Sequence, residues 1–311
     1  MRADLLERVL LVCPSCTWKR GTPASLRLEN ASGTSTEVET GSLRCVRCSE
    51  SYPIVQGVAV LASAGHRRVA QETAEVEDPV RLAGPHLLAH YGDLLPPGSG
   101  AAGDFWQRLG DLPATGLAVD LSASVGRATL GLARKAAFAL GCESSFLTAR
   151  LARQVLRTGR APVRVVEEGS FATTVDADAS SLGGTNAEFV VAEPDLPPVA
   201  PGRAGFVLAA NLLERQGDPE GFLRRAHELL APGGSLAVAS PYTWWEEHAP
   251  RAAWIGRGEE RTRDALVALL EGWGHEVVEE ADLLLVLREH SRLEQVVRPH
   301  LVLTRKSGTA P

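Results

Sequence analysis

The fold class is decided by the stretch Leu117-Ala-Val-Asp-Leu-Ser-Ala-Ser-Val-Gly-Arg127. Its apolar run ends at Asp120, small residues follow, and a helical pattern begins at Arg127. This order predicts a buried strand, a tight loop and a helix N-terminus, which is how α/β folds build a nucleotide site. Small residues let a ligand approach the loop backbone, and the helix end offers free N–H groups. The loop keeps one of the usual glycines, Gly126, so its interpretation depends on the surrounding chain.

Strand-like and helix-like patterns alternate after Gly116, which indicates a parallel sheet with helices between its strands. Near the end of the chain, Leu283–Arg288 and Gln295–Thr304 are predicted to form an antiparallel pair at the sheet edge. The other predicted strands are 117–120, 137–141, 163–167, 189–192, 206–210 and 235–240. We therefore predict an α/β fold with a doubly wound, mostly parallel sheet over residues 116–311.

The composition limits the classes of function. With 311 residues, of which 44% are hydrophobic, the chain can bury one large core and a small satellite domain. The formal net charge of −6 comes from charges of both signs, which argues against a nucleic-acid partner. No apolar run approaches the roughly 20 residues of a membrane span, and the N-terminus lacks the apolar core of a signal peptide. We expect a cytoplasmic protein with no membrane partner.

Four of the five cysteines form two Cys-x-x-Cys pairs, Cys13/Cys16 and Cys45/Cys48. Each such turn points two thiolates at one ion, and two turns complete a tetrahedral shell. A set of four thiolates leaves no open position, so the sequence predicts a structural Zn²⁺ site. Residues 1–64 are expected to be a zinc-ribbon domain that the metal stabilises directly.

The second cysteine pair is followed by Tyr52-Pro-Ile-Val-Gln-Gly-Val-Ala-Val-Leu61, which predicts a strand, a glycine turn and a second strand. Together with the cysteine pairs, this segment resembles the small zinc-ribbon activator family of methyltransferases. The resemblance implies an activating module that is fused here to its enzyme. The polar insert 21–41 is predicted to be a loop or a hairpin.

Residues 65–115 are predicted to be a helical linker or lid between the two domains. A helical pattern covers Arg67–Asp78, and Pro96–Gly100 is predicted to be a flexible break. His90 and Tyr91 are interpreted either as a packing pair or as part of a lid over a substrate site.

Two acids follow the first two predicted strands of the large domain. Asp120 ends the first strand, and Glu143 follows the second. A carboxylate in the position of Glu143 can accept hydrogen bonds from both hydroxyls of a ribose, and the alternative is an acid that caps the next helix. The loop lacks the Gly-x-Gly-x-x-Gly of dinucleotide sites. It follows the Asp-x-Gly-x-Gly-x-Gly pattern of S-adenosylmethionine (SAM) binders, with serine at two of the glycine positions.

Several segments resemble one class I methyltransferase family, the 4-mercaptohistidine N1-methyltransferases of ovothiol biosynthesis. Asp120–Arg127 is similar to the family's Asp-Ile-Gly-Cys-Ala-Val-Gly-Arg loop, and Ala209–Arg215 to its Ala-Asn-Leu-x-Asp-Arg segment. The Ser-Pro-Tyr-Thr-Trp run at 240–244 is the most specific match, and Arg288–Arg292 resembles the family's terminal Arg-Glu-Thr-x-Arg. The resemblance extends over residues 90–305.

The chain departs from the family pattern at three places. Ser122 and Ala123 stand where the family has Gly-Cys, which bears on cofactor affinity. Glu214 replaces an aspartate, and Leu293-Glu294 replaces a lysine–aromatic pair. The last two departures bear on the substrate more than on the reaction.

The resemblance implies a SAM-dependent N-methyltransferase that acts on an imidazole nitrogen of a histidine-type substrate. Asn211 and Glu214 are expected to hold the imidazole, while Tyr242 is expected to bond the substrate or close the pocket. The alternatives are a helix cap for Asn211 and a surface acid for Glu214. The predicted cofactor-binding residues are Asp120, Ser122, Gly126, Arg127, Glu143, Ser144 and Glu193.

Two other functions remain open at this point. The chain could be a methyltransferase for another small metabolite or for RNA, with a shared fold and an altered pocket. It could also be a non-catalytic binding module in which the serines of the 121–126 loop mark a decayed cofactor site.

Overall fold

The structure is a computed structural model that describes residues 1–96 and 103–308, so the predicted break at Pro96–Gly100 lies outside it except for Pro96. Among these residues, no helix is both long and apolar enough to cross a membrane. Short 3-10 turns cover Gly92–Leu94, Leu213–Arg215 and Arg251–Ala253, and Ser15–Lys19 forms a π turn. The α-helices are α1 (Leu5–Arg8), α2 (Ala64–Ala74), α3 (Pro79–Leu82), α4 (Gly84–Tyr91), α5 (Phe105–Gly110), α6 (Arg127–Leu132), α7 (Phe146–Thr158), α8 (Pro219–Leu229) and α9 (Thr262–Gly272).

A single large sheet runs through the described residues. The strands of the chain are β1 (Leu26–Gly33), β2 (Val38–Cys45), β3 (Ser51–Val55), β4 (Val58–Val60), β5 (Leu117–Asp120), β6 (Phe138–Glu143), β7 (Arg160–Glu168), β8 (Phe171–Asp178), β9 (Ala187–Val191), β10 (Ala204–Ala210), β11 (Leu230–Ser240), β12 (His275–Asp282), β13 (Leu285–His290), β14 (Leu293–Val297) and β15 (His300–Lys306). Eleven of them form the large sheet in the order β1-β2-β3-β4-β9-β6-β5-β10-β11-β15-β12.

The pairing of the strands confirms the predicted α/β class. Strands β4, β9, β6, β5, β10 and β11 are parallel, and β15 runs antiparallel to both of its neighbours. The chain first moves from β5 outward to β6 and β9 and then returns to the other side of β5 as β10. The crevice between the carboxyl ends of β5 and β10 is therefore a topological switch point, where open α/β sheets bind ligands.

Helices cover both faces of this sheet because its central strands are apolar on both sides. Phe206 and Leu208 of β10 pack with α5 and α6, whereas Val207 between them packs with α8. Successive side chains of a strand point to opposite faces, so one apolar strand serves two helical layers. The doubly wound arrangement follows from this pattern.

The N-terminal segment joins the same sheet. The predicted strand pair within Tyr52–Leu61 is confirmed as β3 and β4, and the 21–41 insert contributes to the hairpin of β1 and β2. Strand β4 pairs in parallel with β9, with Ala59 opposite Val190 and Val60 opposite Val191. The division into residues 1–64, 65–115 and 116–311 stays a prediction.

The predicted antiparallel pairing near the C-terminus is confirmed, but its predicted place at the edge of the large sheet was wrong. Leu285–His290 pairs with Leu293–Val297 in a separate two-stranded sheet, and β15 begins only after Pro299. Because proline has no N–H for the ladder, it divides the predicted strand Gln295–Thr304 into two. At this end of the large sheet the edge strand is β12, whose acidic sequence did not predict a strand. Charged residues of this kind are common on edge strands.

The predicted strand at Val163–Glu167 exists within β7, but it pairs with β8 outside the large sheet. Its residues alternate between buried and exposed, whereas all five residues of the central strand β9 are buried. A half-exposed strand suits a surface hairpin and not a central position.

A contact between buried His275 and half-buried His227 leads us to expect that acid will destabilise the protein. His227 Nδ1 lies 2.9 Å from His275 Nε2, and the other nitrogen of His275 lies 2.8 Å from Thr304 Oγ1. Burial lowers the pKa of His275 from 6.5 to about 4 and also lowers that of His227. The unfolded chain then binds more protons than the folded one between pH 6.5 and 4, so stability is complete above this window and falls through it. We expect a loss of roughly 2–3 kcal/mol from His275.

The measurement is urea unfolding at pH 7 and near pH 4.5 for the wild type and for His275→Gln. The variant lacks the titrating ring, so its free energy of unfolding should change less with pH than that of the wild type. The difference in slope should correspond to about one proton taken up on unfolding. Equal pH slopes in the two proteins would contradict the prediction.

Candidate functional site

The loop between β5 and α6 is held in a tight conformation. Ser124 and Gly126 have positive φ angles of 48° and 93°. A Cβ atom on Gly126 would lie 2.7 Å from the ring of Phe189, so no larger residue fits there. Glycine is the residue that adopts this conformation without a penalty, which explains why this glycine of the motif is retained.

Asp120 organises the loop from inside the fold. Its side chain is buried, Oδ1 accepts from the N–H of Ser122 at 3.1 Å, and Oδ2 accepts from Thr129 Oγ1 at 2.7 Å. Burial raises the pKa of Asp120 from 3.8 to about 6. The two hydrogen bonds join the loop to α6, so this acid shapes the loop from beneath.

Ser122 bridges the switch point. Its Oγ donates to the carbonyl of Ala210 at 2.8 Å and accepts from the N–H of Ala210 at 3.1 Å. Past the end of β5, the Ser122 hydroxyl therefore takes the place of a backbone partner for β10. A glycine at this position would leave the crevice open.

Glu143 meets the loop at the end of β6. Its Oε2 accepts from the N–H of Ser124 at 2.7 Å, and its Oε1 accepts from the N–H of Ser145 at 2.9 Å and from Ser144 Oγ at 3.3 Å. A carboxylate offers about four lone-pair positions, so the weak bond from Ser144 is the one that a ligand hydroxyl can replace.

Helix α4 packs directly against this loop. Tyr91 donates to the carbonyl of Val125 at 2.7 Å, and His86 Nδ1 lies 3.2 Å from Ser124 Oγ. His90 is buried and stacks on Trp106 with ring centroids 3.6 Å apart. Tyr91 and His90 are therefore packed side chains that support the loop from the 65–115 segment.

Arg127 faces α4. Its side chain is only 5% exposed and makes an ion pair with Asp93 at 2.9 Å. Its Nη1 is buried without a hydrogen-bond partner among the described residues.

The carboxylate of Glu193 contacts residues of the N-terminal region. It accepts from the N–H of Ser63 at 3.0 Å and from Ser63 Oγ at 2.9 Å, and it lies 3.0 Å from His66 Nδ1. These contacts hold the start of α2 against the end of β9. The structure thus gives Glu193 an anchoring role that the sequence did not indicate.

Asn211 and Glu214 follow the end of β10, one residue beyond the bridge from Ser122. Asn211 has a left-handed backbone with φ of 51°, and its Oδ1 is buried without a hydrogen-bond partner among the described residues. Glu214 is only 4% exposed, and burial raises the pKa of its carboxyl group. An unpaired acceptor and a buried acid on a strained turn are features of binding sites.

Ser240 joins this turn to the neighbouring strand, and sequence reasoning missed its role. Its Oγ donates to Glu214 Oε2 at 2.6 Å and accepts from the N–H of Tyr242 at 3.0 Å. Tyr242 also has a left-handed backbone, with φ of 56°, and its hydroxyl lies 2.8 Å from His300 Nδ1. The Ser-Pro-Tyr run was the available signal for Ser240, whereas nothing in the sequence connected His300 to the site.

The four cysteines of the two pairs lie together. Their Sγ atoms all lie within 4.8 Å of one another, with Cys13 and Cys48 at 3.8 Å and Cys16 and Cys45 at 3.9 Å. A tetrahedral shell with Zn–S bonds of about 2.3 Å would place its sulfurs about 3.8 Å apart. The N–H groups of Arg47 and Cys48 point at Cys45 Sγ, at 3.4 and 3.5 Å. The thiols are therefore close enough to share one ion.

Comparisons with known proteins find solved structures that are similar to this chain but no matching family. No protein-family model matches the chain, and no curated protein matches it. Similar solved structures include a SAM-dependent methyltransferase from Methanosarcina mazei, with 16% identity over 62% of this chain and 92% of that one and a TM-score of 0.42. The [4+2]-cyclase SpnF has 15% identity over 81% of this chain and 99% of that one, with a TM-score of 0.46.

A third similar structure carries the description "Conversion of a Disulfide Bond into a Thioacetal Group during Echinomycin Biosynthesis". It has 18% identity over 75% of this chain and 92% of that one, with a TM-score of 0.45. Similarity of this degree does not identify a reaction.

Proposed function

We propose that the chain is a SAM-dependent N-methyltransferase whose acceptor is the imidazole of a histidine-type small molecule or peptide. The observation that carries the proposal is the pair formed by the buried Oδ1 atom of Asn211 and the buried side chain of Glu214, just after the end of β10. One offers an unpaired carbonyl oxygen and the other a carboxylate, directly beside a nucleotide-type loop at the switch point.

The loop residues fit the binding of SAM. The side chains at 122–124 are small, and the Glu143 carboxylate can accept a ribose hydroxyl once Ser144 turns away. The buried Nη1 of Arg127 can donate to a carboxylate. SAM, when bound, supplies a methyl group on a sulfonium, which is transferred with its bonding electrons left on sulfur.

The protein's own task is to hold the imidazole in line and in one tautomer. The attacking nitrogen must be unprotonated, so the other ring nitrogen carries the N–H. Acceptors such as Asn211 Oδ1 and Glu214 select that tautomer and stabilise the positive charge that develops on the ring. The methylated ring, now an imidazolium, then gives its remaining N–H proton to water.

The direct test incubates the pure protein with SAM and either 5-thiohistidine or histidine-containing peptides. We expect mass spectrometry to show a gain of one methyl group on a ring nitrogen. Methylation confined to oxygen or carbon atoms would refute the imidazole assignment.

Glu143→Ala should weaken the binding of S-adenosylhomocysteine by about tenfold or more, because the ribose loses its acceptor. Isothermal calorimetry measures this change. Asp176→Ala, in the β7–β8 hairpin, is a control that should bind as the wild type does. Unchanged affinity in Glu143→Ala would remove Glu143 from the cofactor site.

The bridge made by Ser122 favours a second candidate function. If its hydroxyl closes the crevice to SAM, the chain is a non-catalytic binding module of the same fold. Calorimetry decides between the two: absence of binding at millimolar SAM in the wild type, with binding recovered in Ser122→Gly, would favour the module.

We further propose that Cys13, Cys16, Cys45 and Cys48 hold a structural Zn²⁺. The sulfur separations and the N–H groups directed at Cys45 support this ligand set. Tyr52 also lies 3.2 Å from Cys13 Sγ, so its hydroxyl can donate to a metal-bound thiolate.

A further inference from the structure

A chain of polar side chains runs from Tyr242 toward the edge of the sheet. The Tyr242 hydroxyl lies 2.8 Å from His300 Nδ1, and His300 Nε2 lies 3.4 Å from Glu280 Oε1. Arg263 donates to both oxygens of Glu280, at 2.8 and 3.0 Å. These residues come from the segment after β11 and from β15, β12 and α9, so tertiary structure alone brings them together.

The contacts between these side chains determine which group donates and which accepts in the bond between Tyr242 and His300. The carboxylate of Glu280 lies 3.4 Å from Nε2 as an ion-pair contact, and its negative charge favours the His300 tautomer that carries the proton on that nitrogen. The Nδ1 atom is then an acceptor, and the Tyr242 hydroxyl must donate to it. With its one proton committed to His300, the phenol oxygen of Tyr242 can only accept toward any other group.

We propose that His300 and Glu280 are positioning residues that make Tyr242 a hydrogen-bond acceptor, so that the site recognises a ring through its N–H group. This inference rests on the proposed function and deepens it. It adds Tyr242 to Asn211 and Glu214 as a third acceptor. A site lined by acceptors selects a donor such as imidazole over an aromatic ring of the same shape without an N–H.

The charged environment agrees with this direction. The groups that act electrostatically on His300 are Glu280 and Asp282 from β12 and Arg263 from α9. Burial lowers the pKa of His300, which keeps the ring neutral near pH 7. Burial also raises the pKa of Tyr242, so its hydroxyl retains its proton.

The test compares two ligands of one shape. In 4-thiazolylalanine, a ring sulfur replaces the Nε2–H of histidine while the ring nitrogen at the Nδ1 position keeps its lone pair. Calorimetry with S-adenosylhomocysteine present measures the affinities of both ligands for the wild type, His300→Gln and Glu280→Gln. Glu276→Gln, an exposed position on the same strand β12, is the matched control.

We expect the wild type and the control to prefer histidine by about tenfold or more, which corresponds to one hydrogen bond. In His300→Gln and Glu280→Gln the preference should fall severalfold. In a Tyr242→Phe background, His300→Gln should cause no further change in preference, because the acceptor is already gone. A merely structural role for His300 would lower both affinities and leave their ratio intact, and that result would overturn the proposal.

A second measurement does not depend on ligand binding. Selective ¹⁵N labelling of histidine reports the tautomer of each ring, and the His300 signal is assigned by its loss in His300→Gln. A proton on Nε2 supports the proposal, and a proton on Nδ1 overturns it. A wild type that prefers histidine but transfers no methyl group would leave this inference standing while refuting the proposed function.

Discussion

Replacing Glu214 with glutamine is expected to reduce methyl transfer to an imidazole substrate by about 100-fold. Glutamine can still accept from Ser240 Oγ, which now donates to Glu214 at 2.6 Å, so the turn after β10 should keep its shape. The lost group is the negative charge that stabilises a developing imidazolium in a buried site. Single-turnover rates with SAM and 5-thiohistidine measure the effect.

The control for this variant is Glu220→Gln. Glu220 lies in the first turn of α8, is exposed, and pairs with Arg224 at 2.7 Å. It should retain the wild-type rate, and both variants should bind S-adenosylhomocysteine as the wild type does. A rate for Glu214→Gln within threefold of the wild type would exclude this residue from the chemistry.

Replacing one cysteine of the proposed zinc site should destabilise the central sheet as well as the N-terminal residues. We expect Cys45→Ser to lower the free energy of unfolding by at least about 4 kcal/mol, because structural zinc contributes about 10–16 kcal/mol in zinc-finger peptides. The loss should reach the central sheet, since β4 pairs with β9. Urea unfolding and hydrogen exchange at Val190 and Val191 measure it.

Cys142→Ser is the control, because Cys142 is a buried cysteine outside the cluster. It should keep one metal ion per chain by elemental analysis, whereas Cys45→Ser should lose it. Full metal content in Cys45→Ser, or exchange that is unchanged in β9, would contradict the prediction.

Much of the fold was predictable because it depends on local periodicity. Strands β5, β6, β9, β10 and β11 are apolar runs bounded by turn residues, and each was predicted within a few residues. The acidic strand β12 and the division at Pro299 were not predictable in this way, because an edge strand depends on its neighbour more than on its own hydrophobicity.

The site was predictable to the extent that it follows strand ends. Asn211, Glu214 and Tyr242 come after adjacent parallel strands, so the sequence alone indicates that they share one edge of the sheet. The partners of these residues were not predictable. Ser240 and His300 act through side-chain hydrogen bonds across strands, and Glu193 binds Ser63, which is 130 residues away in the chain.

The pairing of β4 with β9 also limits how far the protein can be truncated from its N-terminus. All five residues of β9 are buried, and β4 covers one of its two edges. A shortened chain that began after β4 would present an apolar edge strand with free N–H and C=O groups, which is a template for aggregation. The segment that ends with β4 and the rest of the polypeptide are therefore expected to be expressed well only as one chain.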